Sequence, residues 1–468
     1  MSYRLFLGSN EVTWGGSPAT PSTATTWIRP SDWLTFPDTS SVTGSTGAFF
    51  GILAVYTGSN FVSLGSNSPI IVDWGDGVIE SYAAQVNATH SHNYNILSAS
   101  SYSSGSNGFG SGSAIGYRQA MVKVIPSGSG NSLINIDLQK KHPRASLPSI
   151  PSVPWLDIAV GGTKMVALAV GGGVVEPSNV ERVNWASLTG SADAFSYMFQ
   201  NCHALQSVPL FDTSKGTAFV SMFQSCYSLR TVPLFSLSTG SNFNSMFANC
   251  NQLTTIPPFN LSKGTDFTTM FSYCSALTSL PLFTFSSSAN YSQMFTNCKS
   301  LASIPPFNLS GGGNFFGMFY ACDSIRSVPL FDLSKGTGFA LMFSLCLSLQ
   351  SVPLFNLTSG STYNQMFNGC ASLIEVPPMP VNTAESTIFS SVFGTCANLR
   401  RGALSGSGAT ISYANCSLAR NELVEIFNNL SITGSTPCTI TVTGNHGVVD
   451  LTAADTASVI AKGWSYVG

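Results

Sequence analysis

From Phe195 onward the apolar residues return on a fixed beat. Met198, Met222, Met246, Met270, Met294, Met318, Met342 and Met366 stand 24 residues apart, each followed by Phe and, four residues on, by Cys. Three residues before each Met is an aromatic, and three after each Cys is Leu or Ile. Three further on comes Val, Ile or Leu and then Pro, with Phe two beyond the Pro in all but the last of these units, where Met379 stands. A ninth unit, Val392-Phe393 with Cys396, follows a two-residue insertion. A period held over so many units is an internal repeat, and it fixes the architecture before any other feature does.

Within one unit, Phe219, Met222, Phe223 and Cys226 fall at i, i+3, i+4 and i+7, which predicts one face of a short helix. Leu229, Val232 and Phe235 predict a short strand, closed by a turn such as Asp332-Leu333-Ser334-Lys335-Gly336-Thr337. Proline lacks the ladder donor, so its column limits any parallel ladder to a few residues. One unit cannot bury its apolar face alone, so the units must stack into a solenoid. Strands stack at ~4.8 Å and helices at about 8–10 Å. Regular helices would therefore curve the solenoid with its strands on the concave side, whereas frayed or 3₁₀ helices permit a straighter rod.

These columns, quoted as MFQSCYSLRTVPLFSLSTGSNF, resemble the BspA-like leucine-rich repeats of bacterial and phage surface proteins. The resemblance covers about residues 190–400. It implies an α/β solenoid used as an interaction surface. The chain departs from that pattern by placing Pro in the strand of nearly every unit.

The flanks lose the period. Residues 131–190 read as capping coils, with strands at Leu133–Leu138, Leu156–Val160 and Met165–Ala169. Residues 401–468 read as a C-terminal cap, with a helix over Ser417–Leu430 capped by Ser417, a strand over Ile440–Thr443, a helix over Leu451–Gly463 and a strand over Trp464–Val467. In residues 46–130 a strand, Ile70-Ile71-Val72, enters Asp73-Trp74-Gly75-Asp76-Gly77, followed by His90, His92, Tyr94 and the strand Ala120–Ile125. That order resembles a polycystic-kidney-disease-like Ig-fold domain, which implies an all-β sandwich with Trp74 in its core. Ser98–Gly116 is a Ser/Gly insertion, and residues 1–45 read as an arm or first strands. The predicted fold is an α/β solenoid of 24-residue leucine-rich-type repeats over residues 191–400, preceded by an all-β Ig-like domain.

Charge removes several functions. Only 9% of the 468 residues are charged, 19 basic against 21 acidic, while 44% are hydrophobic. With a net charge of −2 and no basic run, nucleic-acid binding is not expected. No apolar stretch approaches the length of a membrane helix, so no membrane insertion is expected. The N-terminus, MSYRLFLGSNEVTW, has no apolar core of an export signal, which predicts synthesis in a cytoplasm. The repeat cysteines lie 24 apart with no close Cys–Cys pair, a spacing that suits neither zinc nor neighbouring disulfides. They read as a buried free-thiol spine, and no metal or cofactor is expected.

The chemistry-bearing candidates are few. Asp73 and Asp76 could hold a cation but read as turn residues, and His90 and His92 share one face of a strand without a third ligand. The acids that break the repeat pattern, Asp193, Asp266, Asp323, Glu375 and Glu385, never share a column in adjacent coils. A glycosidase would need such a pair. No nucleophile elbow, P-loop or zinc motif occurs, so the chain is not expected to be an enzyme. Asn260, Asn308 and Asn356 head Asn-x-Ser/Thr triplets that read as turns. The binding candidates are the two variable positions between Leu and Val. The first column holds Gln206, Arg230, Thr254, Thr278, Ala302, Arg326, Gln350 and Ile374; the second runs from Ser207 and Thr231 to Ser351 and Glu375. If exposed, they form a hydroxyl-rich face suited to a glycan or protein, or a merely solvated one.

A surface-type solenoid, an Ig-like module and no export signal together suggest a phage virion protein: a tail fibre, appendage or capsid fibre. It would dock to other virion proteins through its N-terminal region and meet the host surface through the solenoid. By analogy with fibres it would be a homo-oligomer, a trimer. The alternatives are a bacterial cell-surface adhesin and, third, a glycan-cleaving tailspike.

Overall fold

The computed structural model describes residues 4–7, 10–13, 47–55, 61–85, 88–94, 118–128, 135–138, 155–161, 167–170, 178, 180–185, 195–286, 289–382, 389, 391–405, 410–432 and 438–468. Most of the expected N-terminal arm and the Ser98–Gly116 insertion lie outside these residues. The chain forms two units, residues 1–215 and 216–468.

The first unit is β-rich. Strands β1 (Arg4–Leu7) and β2 (Asn10–Thr13) form an antiparallel hairpin. Then follow β3 (Ala48–Val55), β4 (Phe61–Leu64), β5 (Ile70–Asp73), β6 (Ile79–Tyr82), β7 (His90–Asn93), β8 (Arg118–Pro126), β9 (Asn135–Asp137), β10 (Trp155–Gly161), β11 (Ala167–Ala169) and β12 (Arg182–Trp185). A six-stranded sheet runs β12-β10-β3-β8-β5-β6. Its register pairs Phe49 with Val124 and Val160, and Val72 with Val124, so these buried side chains share one face. On the other face Ala48, Phe50 and Ala159 form a small buried cluster, with Lys123 Nζ lying 5.8 Å from the Phe50 ring centre.

Strands β10 and β12, expected in the solenoid's cap, complete this sheet instead. Asp157 through Val160 are buried on both faces, the mark of a central strand, and alternation alone could not say which sheet would take it. β10 pairs antiparallel with β3 and parallel with β12. β12 then bridges in parallel from Arg182 to Ser207, inside the first repeat. A second route runs beside it. β4 pairs with β7 and β9 with β11, and Gly65 and Asp137 exchange two backbone hydrogen bonds at 2.7 and 2.9 Å. The Val170 N–H then donates to the Met198 carbonyl at 2.9 Å. Both routes thus carry the hydrogen bonding of these sheets to the first repeat, within residues 1–215.

The second unit is a β-solenoid. Phe219, Met222, Phe223 and Cys226 are all fully buried, as their spacing demands, but no helix carries them. The N–H groups of Met222, Gln224 and Cys226 close turns onto the residue three back. Those of Phe219, Ser221, Phe223 and Ser225 donate instead to Asn242, Asn244, Met246 and Ala248 of the next coil, at 2.7–2.9 Å. Ser221 and Ser225 hold φ of +52° and +61°, and the same two positions are left-handed in coil after coil, which no α-helix tolerates. Half the donors leave the segment to join the neighbouring coil, so coils approach far closer than packed helices can. Phe223, Phe247 and Phe271 stack with centroids 5.4 Å apart and planes within 4°. The helix-wide spacing that would force curvature is therefore absent.

Further along each coil the ladder is narrow, as the prolines require. Single parallel bonds join Thr254 N–H to the Arg230 carbonyl and Gln350 N–H to the Arg326 carbonyl. The chain then bends, with the Phe235 N–H bonding the Pro233 carbonyl two residues back. Short parallel pairs flank the closing turns, β13 (Asn260–Leu261) with β14 (Thr284–Phe285) at their start and β15 (Ala289–Asn290) with β16 (Gly312–Asn314) at their end. Gly240 occupies that turn because a Cβ there would lie 2.4 Å from the Phe243 ring and 3.0 Å from that of Phe219.

The solenoid ends in β17 (Glu375–Pro380) paired with β18 (Arg401–Ser405), then a parallel sheet of β19 (Ile411–Ser412), β20 (Cys438–Thr441) and β21 (Trp464–Val467). Helix α1 (Arg420–Asn429) buries Leu423, Ile426 and Phe427. Its N-cap is Ala419 and not the expected Ser417, whose hydroxyl donates to the Ala397 carbonyl because the chain is still following a coil there. The ammonium of Lys462 donates to the carbonyls of Phe427, Asn428 and Leu430 and closes the helix C-terminus. Helix α2 (Ala453–Ala461) opens with a capping box of Thr452 and Asp455.

Candidate functional site

The variable strand columns are exposed throughout. In the first unit Gln206 and Ser207 face solvent. In the second, so do Arg230, Thr254, Thr278, Ala302, Arg326, Gln350 and Ile374, and beside them Thr231, Thr255, Ser279, Ser303, Ser327, Ser351 and Glu375. The backbone under them is fixed: Thr278 accepts from Ala302 at 3.2 Å, and Gln350 accepts from Ile374 at 2.9 Å. Ser327, Ser351 and Glu375 are bridged in register. Arg230 sits one coil from Thr254, and Arg326 one coil from Gln350. Thr278 is flanked by hydroxyl and methyl groups.

The same face carries a column that sequence reasoning did not single out. Leu234, Leu282, Leu330 and Leu354 are 56–66% exposed, and Pro258, Pro306 and Pro378 occupy the position in the other coils. Period-two alternation would have turned Leu234 inward with Val232. The bend at Pro233 shifts the phase by one, so Val232 and Phe235 point in and Leu234 points out. The repeated Val-Pro-Leu-Phe was the available signal. The result is a face of hydroxyls beside an aliphatic ridge, with little charge, able to contact a partner by hydrogen bonding and apolar packing together.

The remaining candidates have local duties. Asn260, Asn308 and Asn356 accept the N–H of Ser262, Ser310 and Thr358 at 3.1–3.2 Å, as turn residues should. Asp73 and Asp76 accept the N–H of Gly75 and Val78. Asp76 also meets His92 Nε2 at 2.8 Å, and His92 stacks on the fully buried Trp74 with centroids 5.0 Å apart. Tyr94 donates to the Trp74 carbonyl at 2.8 Å, and Trp74 Nε1 to Glu80. His90, beside Tyr82, is held below its usual pKa by burial. This cluster braces the turn. Among the pattern-breaking acids, Asp266 binds the N–H and hydroxyl of Thr268, Asp323 lies 4.0 Å from Lys299, and Glu375 lies 3.4 Å from Arg401. Asp193 and Glu385 lie outside the described residues.

The cysteines form a ladder of free, buried thiols. Cys250, Cys274, Cys298, Cys322, Cys346 and Cys370 each donate S–H to the carbonyl of the Phe 27 residues earlier, at 3.0–3.2 Å. Desolvation pushes the Cys274 thiol up to about 12 and that of Cys322 well above the ordinary range. Such thiols are poor nucleophiles. Their work is to satisfy a carbonyl across the coil interface with a donor that is cheap to bury.

A family model described as Mycoplasma protein of unknown function, DUF285, matches residues 193–305 and again 289–403. Among solved structures the chain is similar to a leucine-rich repeat protein from Eubacterium ventriosum. That likeness has 14% identity and a TM-score of 0.31, and covers 64% of this chain and 92% of the other. No curated protein matches. Among the described residues no helix is long and apolar enough to cross a membrane.

Proposed function

We propose that the chain is a non-catalytic surface or adhesion protein whose solenoid recognises a partner through its strand-side face. The observation that carries this reading is the set of exposed columns, held in register on a hydrogen-bonded ladder. Rigid columns at one-coil spacing present repeating contacts without an ordering cost, which favours recognition of an extended glycan or protein. We further read the protein as a phage virion component, a tail fibre, appendage or capsid fibre. Its N-terminal region, of which residues 46–130 are read as a polycystic-kidney-disease-like Ig fold, would attach to other virion proteins, with the solenoids assembled as homo-oligomers. The free buried thiols support folding in a reducing cytoplasm before release. Mass spectrometry of purified particles tests this: stoichiometric copies are expected, and absence from particles refutes the virion reading.

A bacterial cell-surface adhesin is the second reading. The Mycoplasma family description names a bacterial source, which supports a bacterial origin. Protease treatment of intact cells would then release peptides of the solenoid, and a chain found only inside the cell would dismiss it.

A further inference from the structure

In the turn ribbon that carries Met, Phe and Cys in each coil, the position before Met is bare in one coil. The position before Met is filled by Ser221, Ser245, Thr269 and Gln293, then is bare at Gly317, then holds Leu341 and Gln365. Two positions after Met, where other coils have Gln224, Ala248 or Ser272, stands Tyr320. The missing side chain leaves a half-open cavity of about 240 Å³ between its neighbours. Its floor is the backbone at Gly317, held by the Thr296 hydroxyl at 2.7 Å, and the buried Ser344, which donates to the Asn368 carbonyl at 3.1 Å. Gln293, Gln365 and Asn368 supply amides to the wall, Phe316 and Tyr320 rings, and Leu341 and Leu345 methyl groups.

Among the described residues no charged side chain lines this cavity. Each amide offers both donors and an acceptor, the combination that matches vicinal hydroxyls. Aromatic faces are negative and attract the C–H face of a saturated ring. The volume is smaller than pockets for drug-sized molecules, so it suits one six-membered ring. We propose that this cavity binds the terminal neutral pyranose of a glycan. The site lies apart from the strand-side face and does not depend on the recognition proposed there.

Saturation-transfer NMR on the full chain, with methyl glycosides of glucose, galactose, mannose, N-acetylglucosamine and N-acetylgalactosamine, tests the proposal. Sialic acid serves as the anionic control. At least one neutral glycoside should receive saturation with millimolar affinity, and sialic acid should not. Gly317→Gln restores the side chain that the neighbouring coils carry and should weaken binding about tenfold or more. Gln365→Ala, at an exposed position, should do the same without altering the fold. Ile432→Ser, at an exposed position of the C-terminal cap outside both faces, should leave sugar binding unchanged. Absence of transfer to every neutral glycoside overturns the proposal, as does undiminished binding by folded Gly317→Gln or by Gln365→Ala. Neither result bears on strand-side recognition, which Thr278→Arg probes separately.

Discussion

Replacing Phe295 with Leu isolates what the aromatic ladder contributes. Phe295 is fully buried and stacks on Phe271 and Phe319, each at 5.6 Å, and on Phe307 at 6.3 Å. Leu keeps most of the apolar burial but loses three ring pairs, each worth about 0.5–1.5 kcal/mol beyond area. The expected cost is therefore about 2–4 kcal/mol, and Phe295→Ala, which also opens a cavity, should cost about 3–5 kcal/mol. The ladder makes a sharper claim about neighbours. Phe295→Leu with Phe319→Leu counts their shared pair twice, so the double variant should fall short of additivity by about 1 kcal/mol. Phe295→Leu with Phe393→Leu, which stacks on Phe367 and Tyr413, should be additive. Repeat arrays need not unfold in one step, so native-state hydrogen exchange is the proper assay. The Phe295 and Phe319 amides, bonded to the Met318 and Met342 carbonyls, report on the interfaces concerned. Additivity of the adjacent pair, or a cost-free Phe295→Leu, would refute nearest-neighbour stacking as a source of stability.

Three further outcomes rest on buried thiols, a half-buried histidine and two glycines. Folding raises the thiol pKa of Cys274 and Cys322 above the unfolded value of 9.0, so the native state keeps protons that the unfolded chain releases. Urea midpoints should thus hold below pH 9 and fall above it, and Cys322→Ala should make that fall shallower. His203 is pushed down to about 4 by burial, so the unfolded chain binds its proton first as pH drops below 6.5. Stability should decline between pH 6.5 and 4, less steeply in His203→Gln. Gly75 has φ of +80°, and a Cβ there would sit 2.4 Å from the Met121 carbonyl oxygen, which is backbone. Gly75→Ala should cost about 3 kcal/mol from strain plus overlap. Gly77→Ala meets open space and should cost about 1–2 kcal/mol, for strain alone, in thermal melts followed by tryptophan fluorescence.

The repeat was legible because each of its columns has one physical duty. Phe, Met, Cys, Leu and the apolar residue before Pro were all marked for burial by period alone, and all are buried. The helix was misread because i, i+3, i+4, i+7 is also satisfied by a ribbon of turns with two left-handed residues. The clue lay in those positions, where Ser, Asn and Gly recur, although Thr, Gln, Tyr, Ala and Leu blur it by occupying the same conformation in other coils. The exposed strand columns were found because nothing constrains their identity. The Leu234 column was missed because a two-residue bend inverts the alternation. Strand β10 was legible as a strand, but its partner β3 lies about a hundred residues earlier, beyond what a local pattern can specify. The cavity at Gly317 turns on one absent side chain, which has meaning only once the coils are stacked.

Recognition is proposed to fall to a nearly uncharged strand-side face. Binding of the purified full chain to bacterial cell envelopes, from low to high salt, tests this directly. Binding through hydroxyls and the Leu ridge should be insensitive to salt, since few charges are there to be screened. Thr278→Arg should weaken it while Gln365→Ala reduces only sugar binding. A steep loss of wild-type binding with salt, or indifference to Thr278→Arg, would contradict the claim.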